Sequence, residues 1–260
     1  MLRYASILFC LVVATAATGP LERIAAAPRA TVAILSFDNY TGSSDYDPLG
    51  KGIASMMISD LSVVKEIQLL ERERVQDLMK EIDMQHTKYF DSTTAVHVGR
   101  LVGAQYIVIG AFASAQPKMR IDTRVVRVET GEIVKTAQVT GEQDKFFDLE
   151  TTLAKKLING LGLALSPEEQ RRLAERQQAN RVDSLSTMTA FSNALDRYDE
   201  GDYSGAVEHM LPAVRSAPHS MLIHTAFDEM KQRADKSIRE KAKDKIKSGL
   251  RGLFKRPSWP

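Results

Sequence analysis

Cysteine is almost missing from this chain: the 260 residues hold one, Cys10. A single thiol excludes an internal disulfide framework and any cysteine-ligated zinc or iron–sulfur site. Net charge is almost missing too, with 35 Lys+Arg against 33 Asp+Glu and a formal +2. No apolar run reaches the ~20 residues that a stable membrane-crossing helix needs. Gly-x-Gly-x-x-Gly, Gly-x-Ser-x-Gly and His-Glu-x-x-His do not occur, which removes the usual signatures of dinucleotide binding, of a nucleophile elbow and of a zinc hydrolase. What is present is 43% hydrophobic and 26% charged residues. That is the balance of an ordinary globular chain, with length for one or two domains and a substantial core.

The charge is unevenly spread. Residues 231–260 carry eleven basic and three acidic side chains, a net +8, which leaves residues 1–230 at −6. The body is mildly acidic and the tail strongly basic.

At the amino terminus Arg3 precedes the apolar run Ile7–Val13, and Ala14-Thr15-Ala16 follows it. A basic start, a short apolar centre and a small-x-small exit describe a secretory signal peptide cut after Ala16 or Ala17. Phe9 stands immediately before Cys10, where a lipoprotein peptidase needs a small residue, so lipidation is not expected. The predicted localisation is periplasmic, peripheral to the outer membrane.

Residues 1–17 are thus read as the signal and 18–29 as a linker. Ala30–Phe37 has the length and composition of a buried strand, and Asp38–Asp47 is a polar loop. Pro48 opens a helix whose Leu49, Ile53, Met56, Met57 and Leu61 share one side. A short strand over Glu66–Leu70 precedes a helix with Val75, Leu78, Met79 and Ile82 at i, i+3, i+4, i+7. Asp91-Ser92 can cap a helix carrying Ala95, Val98, Leu101 and Val102, which Gly103 ends. Strands at Tyr106–Phe112, Arg120–Val128 and Glu132–Thr140 follow, the last two joined by a turn at Glu129-Thr130-Gly131. A closing helix presents Leu149, Leu153, Leu157, Ile158 and Leu161. The expected fold is α/β, an α+β mixed sheet with flanking helices over 30–164. A helical linker (165–185), opened by the capping box Ser166/Glu169, leads into an all-α domain over 186–234. Residues 235–260 form a basic amphipathic tail.

Several stretches carry a family resemblance: Val32–Phe37, Pro48–Gly52, Leu70–Arg74, Gly99–Gly110 and Val126–Val134. In that order they resemble the curli production assembly/transport (CsgG-like) family and its relatives, which include TolB amino-terminal-domain-like proteins, a flagellar outer-membrane accessory family and an outer-membrane activator of penicillin-binding proteins. The resemblance implies a non-enzymatic, envelope-associated protein of assembly or secretion. Its implied partners are envelope proteins and further copies of itself, with no nucleic acid. Regulation of peptidoglycan synthesis is the alternative that the activator relatives suggest. The hairpin segments carry Arg120, Asp122, Arg124, Arg127, Glu129, Glu132 and Lys135. Charges on lipid-facing strand positions are costly, so a pore is not expected.

A second resemblance is shorter. Ala194, Gly201, Tyr203, Ala206, Ala213 and Pro218 are spaced as in a tetratricopeptide repeat, whose small residues let two helices approach closely. The aromatic falls one place late, at Tyr198, and Pro212 stands inside the second helix. An ordinary helical hairpin fits the same residues.

Other patterns are weaker. Ser62-Val-Val-Lys65 has Ser-x-x-Lys spacing but ends a helix instead of opening one, so coincidence is the better account; a periplasmic hydrolase with an unrecognised nucleophile is the rival from another class. Asp38, Asn39, Asp45 and Asp47 could ligate calcium, although not at EF-hand spacing. His86, His97, His209, His219 and His224 lack ligand spacing. No catalytic residue, cofactor or metal is expected. In the tail, Ile238, Ala242 and Ile246 recur at helical spacing, and the stretch 231–246 is expected to cap the helical domain. Leu250, Leu253, Phe254 and Trp259 are the candidates for membrane or partner contact.

Overall fold

The computed structural model describes residues 29–81 and 91–253; the stretch expected to be a signal and nearly all of the expected linker lie outside the described residues, as do Ile82 and His86. Six strands form one sheet: β1 (Ala30–Ile34), β2 (Asp38–Asn39), β3 (Ile67–Leu69), β4 (Tyr106–Ala115), β5 (Lys118–Arg127) and β6 (Ile133–Glu142). The order is β3-β1-β4-β5-β6, with β2 also on β4. The pairs β3–β1 and β1–β4 are parallel, whereas β4–β5 and β5–β6 are antiparallel. Parallel strands need covered crossovers, and the helices that supply them bury both faces here. Val32 and Ile34 of β1 face one apolar cluster, while Ala33 and Leu35 face the other. That is why the run reads as continuously apolar.

The helices α1 (Leu49–Leu61) and α4 (Phe146–Gly160) pack on one face of the sheet, and α2 (Arg72–Glu81) and α3 (Ser92–Val102) on the other. Asp91 caps α3 through Thr94 N, and Gly103 ends it at φ +74°, a conformation that favours glycine. Ser166 and Glu169 close both halves of the capping box on α5 (Pro167–Asn180). The chain then folds α6 (Leu185–Asp199), α7 (Tyr203–Ser216) and α8 (Met221–Leu253), an all-helical region after the mixed sheet. Phe191, Met210 and Ile223 of these helices share an apolar cluster with α1 and α4. Gly52 of α1 permits the approach, because a Cβ there would stand 2.0 Å from Ser192 Oγ.

Three local expectations need correction. The first strand stops at Ile34; Phe37 N donates to Gly50 O (3.2 Å), and the supposed polar loop opens with β2 beside Ala111 and Phe112. Leu101 is 44% exposed, since Ala95, Val98, Gly99 and Val102 occupy the buried arc of α3. Residues 235–247 do not cap the helical region: α8 packs as far as Ala234, and Ile238, Ala242 and Ile246 are exposed, because among the described residues no other element extends alongside them.

Ile107 lies in β4 opposite Ala33 of β1 and is fully buried. Its replacement by alanine should cost about 3 kcal/mol, through lost transfer energy and the cavity left behind. Urea denaturation measures this as a lower midpoint at unchanged slope; a loss under ~0.5 kcal/mol would contradict the burial.

Candidate functional site

The seam between the sheet-bearing part and the helical region concentrates the protein's buried charge. Lys51, on α1, reaches Asp196 (2.6 Å) and Asp199 (3.0 Å) near the end of α6. Arg72 begins α2, and its Nη1 donates to both Asp199 carboxylate oxygens at 2.9 Å. Lys80 Nζ, about two turns further along α2, donates to the Asp199 carbonyl. Three cations from the sheet side therefore converge on the last turn of α6. A helix carboxyl end attracts positive charge, which adds to the direct pairing.

Beside this cluster opens a groove of about 260 Å³ between α1, α2, α5, α6 and α8. Ile58, Arg72, Arg176, Tyr198, Met221 and Glu229 line it. The Tyr198 hydroxyl donates to Glu229 Oε1 (2.9 Å). Burial, with the Glu229 carboxylate beside it, pushes the Tyr198 phenol up to about 12. The volume is below the roughly 300–1,000 Å³ of ordinary small-molecule sites. Its lining mixes apolar side chains with charged ones, the buried Arg72 among them.

Asn180 also lines the groove and leads to a second buried set. Its Nδ2 donates to Asp60 Oδ1 (2.6 Å) and Ser59 Oγ (2.9 Å), while Ser220 Oγ donates to its carbonyl (3.0 Å). Glu150 of α4 faces Asp60, and the two are 1% and 0% exposed. Asp60 Oδ2 and both Glu150 oxygens otherwise lack hydrogen-bond partners. Burial pushes both carboxyls up, that of Glu150 well above its ordinary range with the Asp60 charge adding to the effect. A proton kept on one of them would supply the partner that two bare carboxylates lack.

Sequence reasoning missed Asp60, Glu150 and Asp199, although a signal was present. Asp60 falls four residues after Met56 on the apolar side of α1. Glu150 precedes Leu153, Ala154 and Leu157 at i+3, i+4 and i+7, and Asp199 follows Leu195 by four. A carboxylate on an apolar helical stripe has to find a partner when the stripe is buried.

The residues singled out from the sequence fall elsewhere. Ala194, Ala206 and Ala213 are fully buried in the α6–α7 hairpin, Gly201 turns it at φ +83°, Tyr203 begins α7, and Pro218 follows α7. Tyr198 and Tyr203 meet edge to face, with centroids 5.3 Å apart. The side chains of Leu250 and Leu253, and all of Phe254 and Trp259, lie outside the described residues. Ser62 Oγ donates to Ser59 O (2.7 Å) instead of meeting Lys65. Asn39 ties its own loop, donating to Ser43 O and Asp47 Oδ1 at 2.7 Å each. Among the described residues no group of three or more His, Cys, Asp or Glu is placed to hold a metal ion.

Residues 21–116 match the family described as curli production assembly/transport component CsgG. A curated relative, "Putative adenylate cyclase 3" of Rhizobium meliloti (strain 1021), is 23% identical over 168 residues. The match covers 64% of this chain, which spans only 26% of that protein's length. Among solved structures, the LpoB C-terminal domain from Salmonella enterica aligns at TM-score 0.38 and 16% identity, over 44% of this chain and 83% of that one. Lipoprotein GNA1162 from Neisseria meningitidis aligns at 0.37 and 11%, over 53% and 99%. The PelC dodecamer from Paraburkholderia phytofirmans aligns at 0.34 and 17%, over 53% and 90%.

Proposed function

We propose, from the premise that residues 21–116 match the curli production assembly/transport family, that this protein is a non-enzymatic, envelope-associated adaptor in the assembly or secretion of surface structures. The family match is the observation that carries the reading. In this reading the signal peptide is removed, the mature protein resides in the periplasm, and it acts by recognising other proteins. The α6–α7 hairpin is read as a tetratricopeptide-like docking module, resting on the sheet part through the ionic seam of Lys51, Arg72 and Asp199. A rigid seam gives the adaptor two surfaces at a constant distance, which lowers the ordering cost of engaging two partners at once.

The test joins cell fractionation with affinity capture. The mature protein should begin near Ala17, appear in the periplasmic fraction and recover envelope proteins from membrane extracts. Amino-terminal sequencing that finds intact Met1, or lipid on Cys10, would overturn the export reading. Incubation of the purified protein with ATP and magnesium should yield no cyclic nucleotide; sustained formation would replace the adaptor reading with a catalytic one.

A further inference from the structure

The last helix keeps one apolar face but buries only its beginning. Met230 and Ala234 are 2% and 8% exposed where α8 packs with α5 and α7. The same i, i+4 line continues through Ile238, Ala242 and Ile246. Ile238 and Ile246 are 58% and 64% exposed, and every residue from Ile238 to Lys247 is exposed. At ~1.5 Å per residue the stripe extends ~20 Å past Ala234. Residues 231–247 hold eight basic and three acidic side chains, a net +5 on a body that is otherwise acidic.

We propose that residues 235–247 of α8 form a peripheral membrane-binding helix that lies on an anionic lipid surface. Two isoleucines, two turns apart with the small Ala242 between them, form a narrow stripe that meets a flat apolar layer without a pocket. At ~100° per residue Arg239 and Lys241 fall on opposite flanks of that stripe. Their long stems run along the acyl boundary while their charged ends reach lipid phosphates. Basic side chains at this position are drawn to an anionic leaflet in proportion to their number. A nucleic-acid ligand would match the charge but leave both isoleucines in water. Among the described residues no helix is long and apolar enough to cross a membrane, so the helix rests on the surface. The proposal uses residues beyond the family match and needs no protein partner, so it can fail while the adaptor reading stands, and the reverse.

The experiment is co-sedimentation of the purified full mature chain with phosphatidylcholine vesicles, with and without phosphatidylglycerol. Binding should be at least about tenfold stronger to the anionic vesicles and should fall steeply as salt shortens the range of the charges. Two variants at exposed positions leave the body intact: Ile238→Ser with Ile246→Ser, and Lys241→Gln with Lys243→Gln and Lys247→Gln. Each should weaken binding by about tenfold or more, with thermal unfolding unchanged as the control. Equal binding to neutral and anionic vesicles, or variants that sediment like the wild type, would overturn the proposal. Retention of duplex DNA without any vesicle binding would overturn it as well.

Discussion

Replacing Asp199 with alanine should lower the stability of the protein by about 3–5 kcal/mol, far more than a surface ion pair is worth. The Asp199 side chain is 5% exposed and faces the Arg72 guanidinium, itself 10% exposed, with Lys51 Nζ 3.0 Å away. Lys51 retains Asp196 after the substitution, but Arg72 is left as a buried cation with only Glu73 nearby. The cost is therefore that of a stranded charge more than that of a lost bond. Pairing Asp199→Leu with Arg72→Met removes both charges and should recover most of the loss, because an apolar replacement of similar volume needs no desolvation compensation. Asp228→Ala removes the exposed partner of Lys231 and should change stability by less than about 1 kcal/mol. Urea titrations of the four proteins decide the matter. If Asp199→Ala costs no more than Asp228→Ala, the seam is wet and does not hold the helices to the sheet.

Glu150→Gln should make the protein less sensitive to alkaline pH. The Glu150 carboxyl is held well above its ordinary value of 4.5, first by burial and then by the facing Asp60 charge. The folded state therefore keeps a proton that the unfolded chain has already released. Its contribution to stability is complete below about pH 4.5 and declines as pH rises through the elevated value, by up to ~1.4 kcal/mol per pH unit. This is the reverse of a salt-bridged carboxylate, which loses its contribution in acid. Glutamine presents a permanent N–H donor to Asp60 and has nothing to lose on titration. Thermal melts near pH 5 should find wild type and variant similar, and melts near pH 8 should favour the variant. Parallel pH profiles would show that Asp60 and Glu150 share no proton.

Much of the local structure was legible in the residue order. The caps at Asp91, Ser166 and Gly103 involve groups within about one turn of each other, so the short-range rules of capping suffice to read them. The periods of α1 and α4, and the paired apolar runs of β1 and β4, likewise follow from the demand that one side or both be kept from water. Composition alone excluded a disulfide framework, and the imbalance of the last thirty residues marked the tail as distinct.

Other features depended on the tertiary structure. Arg72 and Asp199 are 127 residues apart in sequence, and Asp60 and Asn180 are 120 apart. No periodicity links such pairs; they meet because α6 crosses α1 at Gly52, and α5 lies against α1. The same limit explains the tail. Spacing identified an apolar line through Ile238 and Ile246, but whether that line is covered depends on how far the neighbouring helices extend. Packing of α8 ends at Ala234 and leaves the line in water. Sequence by itself determined which side chains needed shelter, because hydrophobicity and charge are properties of single residues. Only the tertiary structure decided which of them received it, because shelter is supplied by segments far away along the chain.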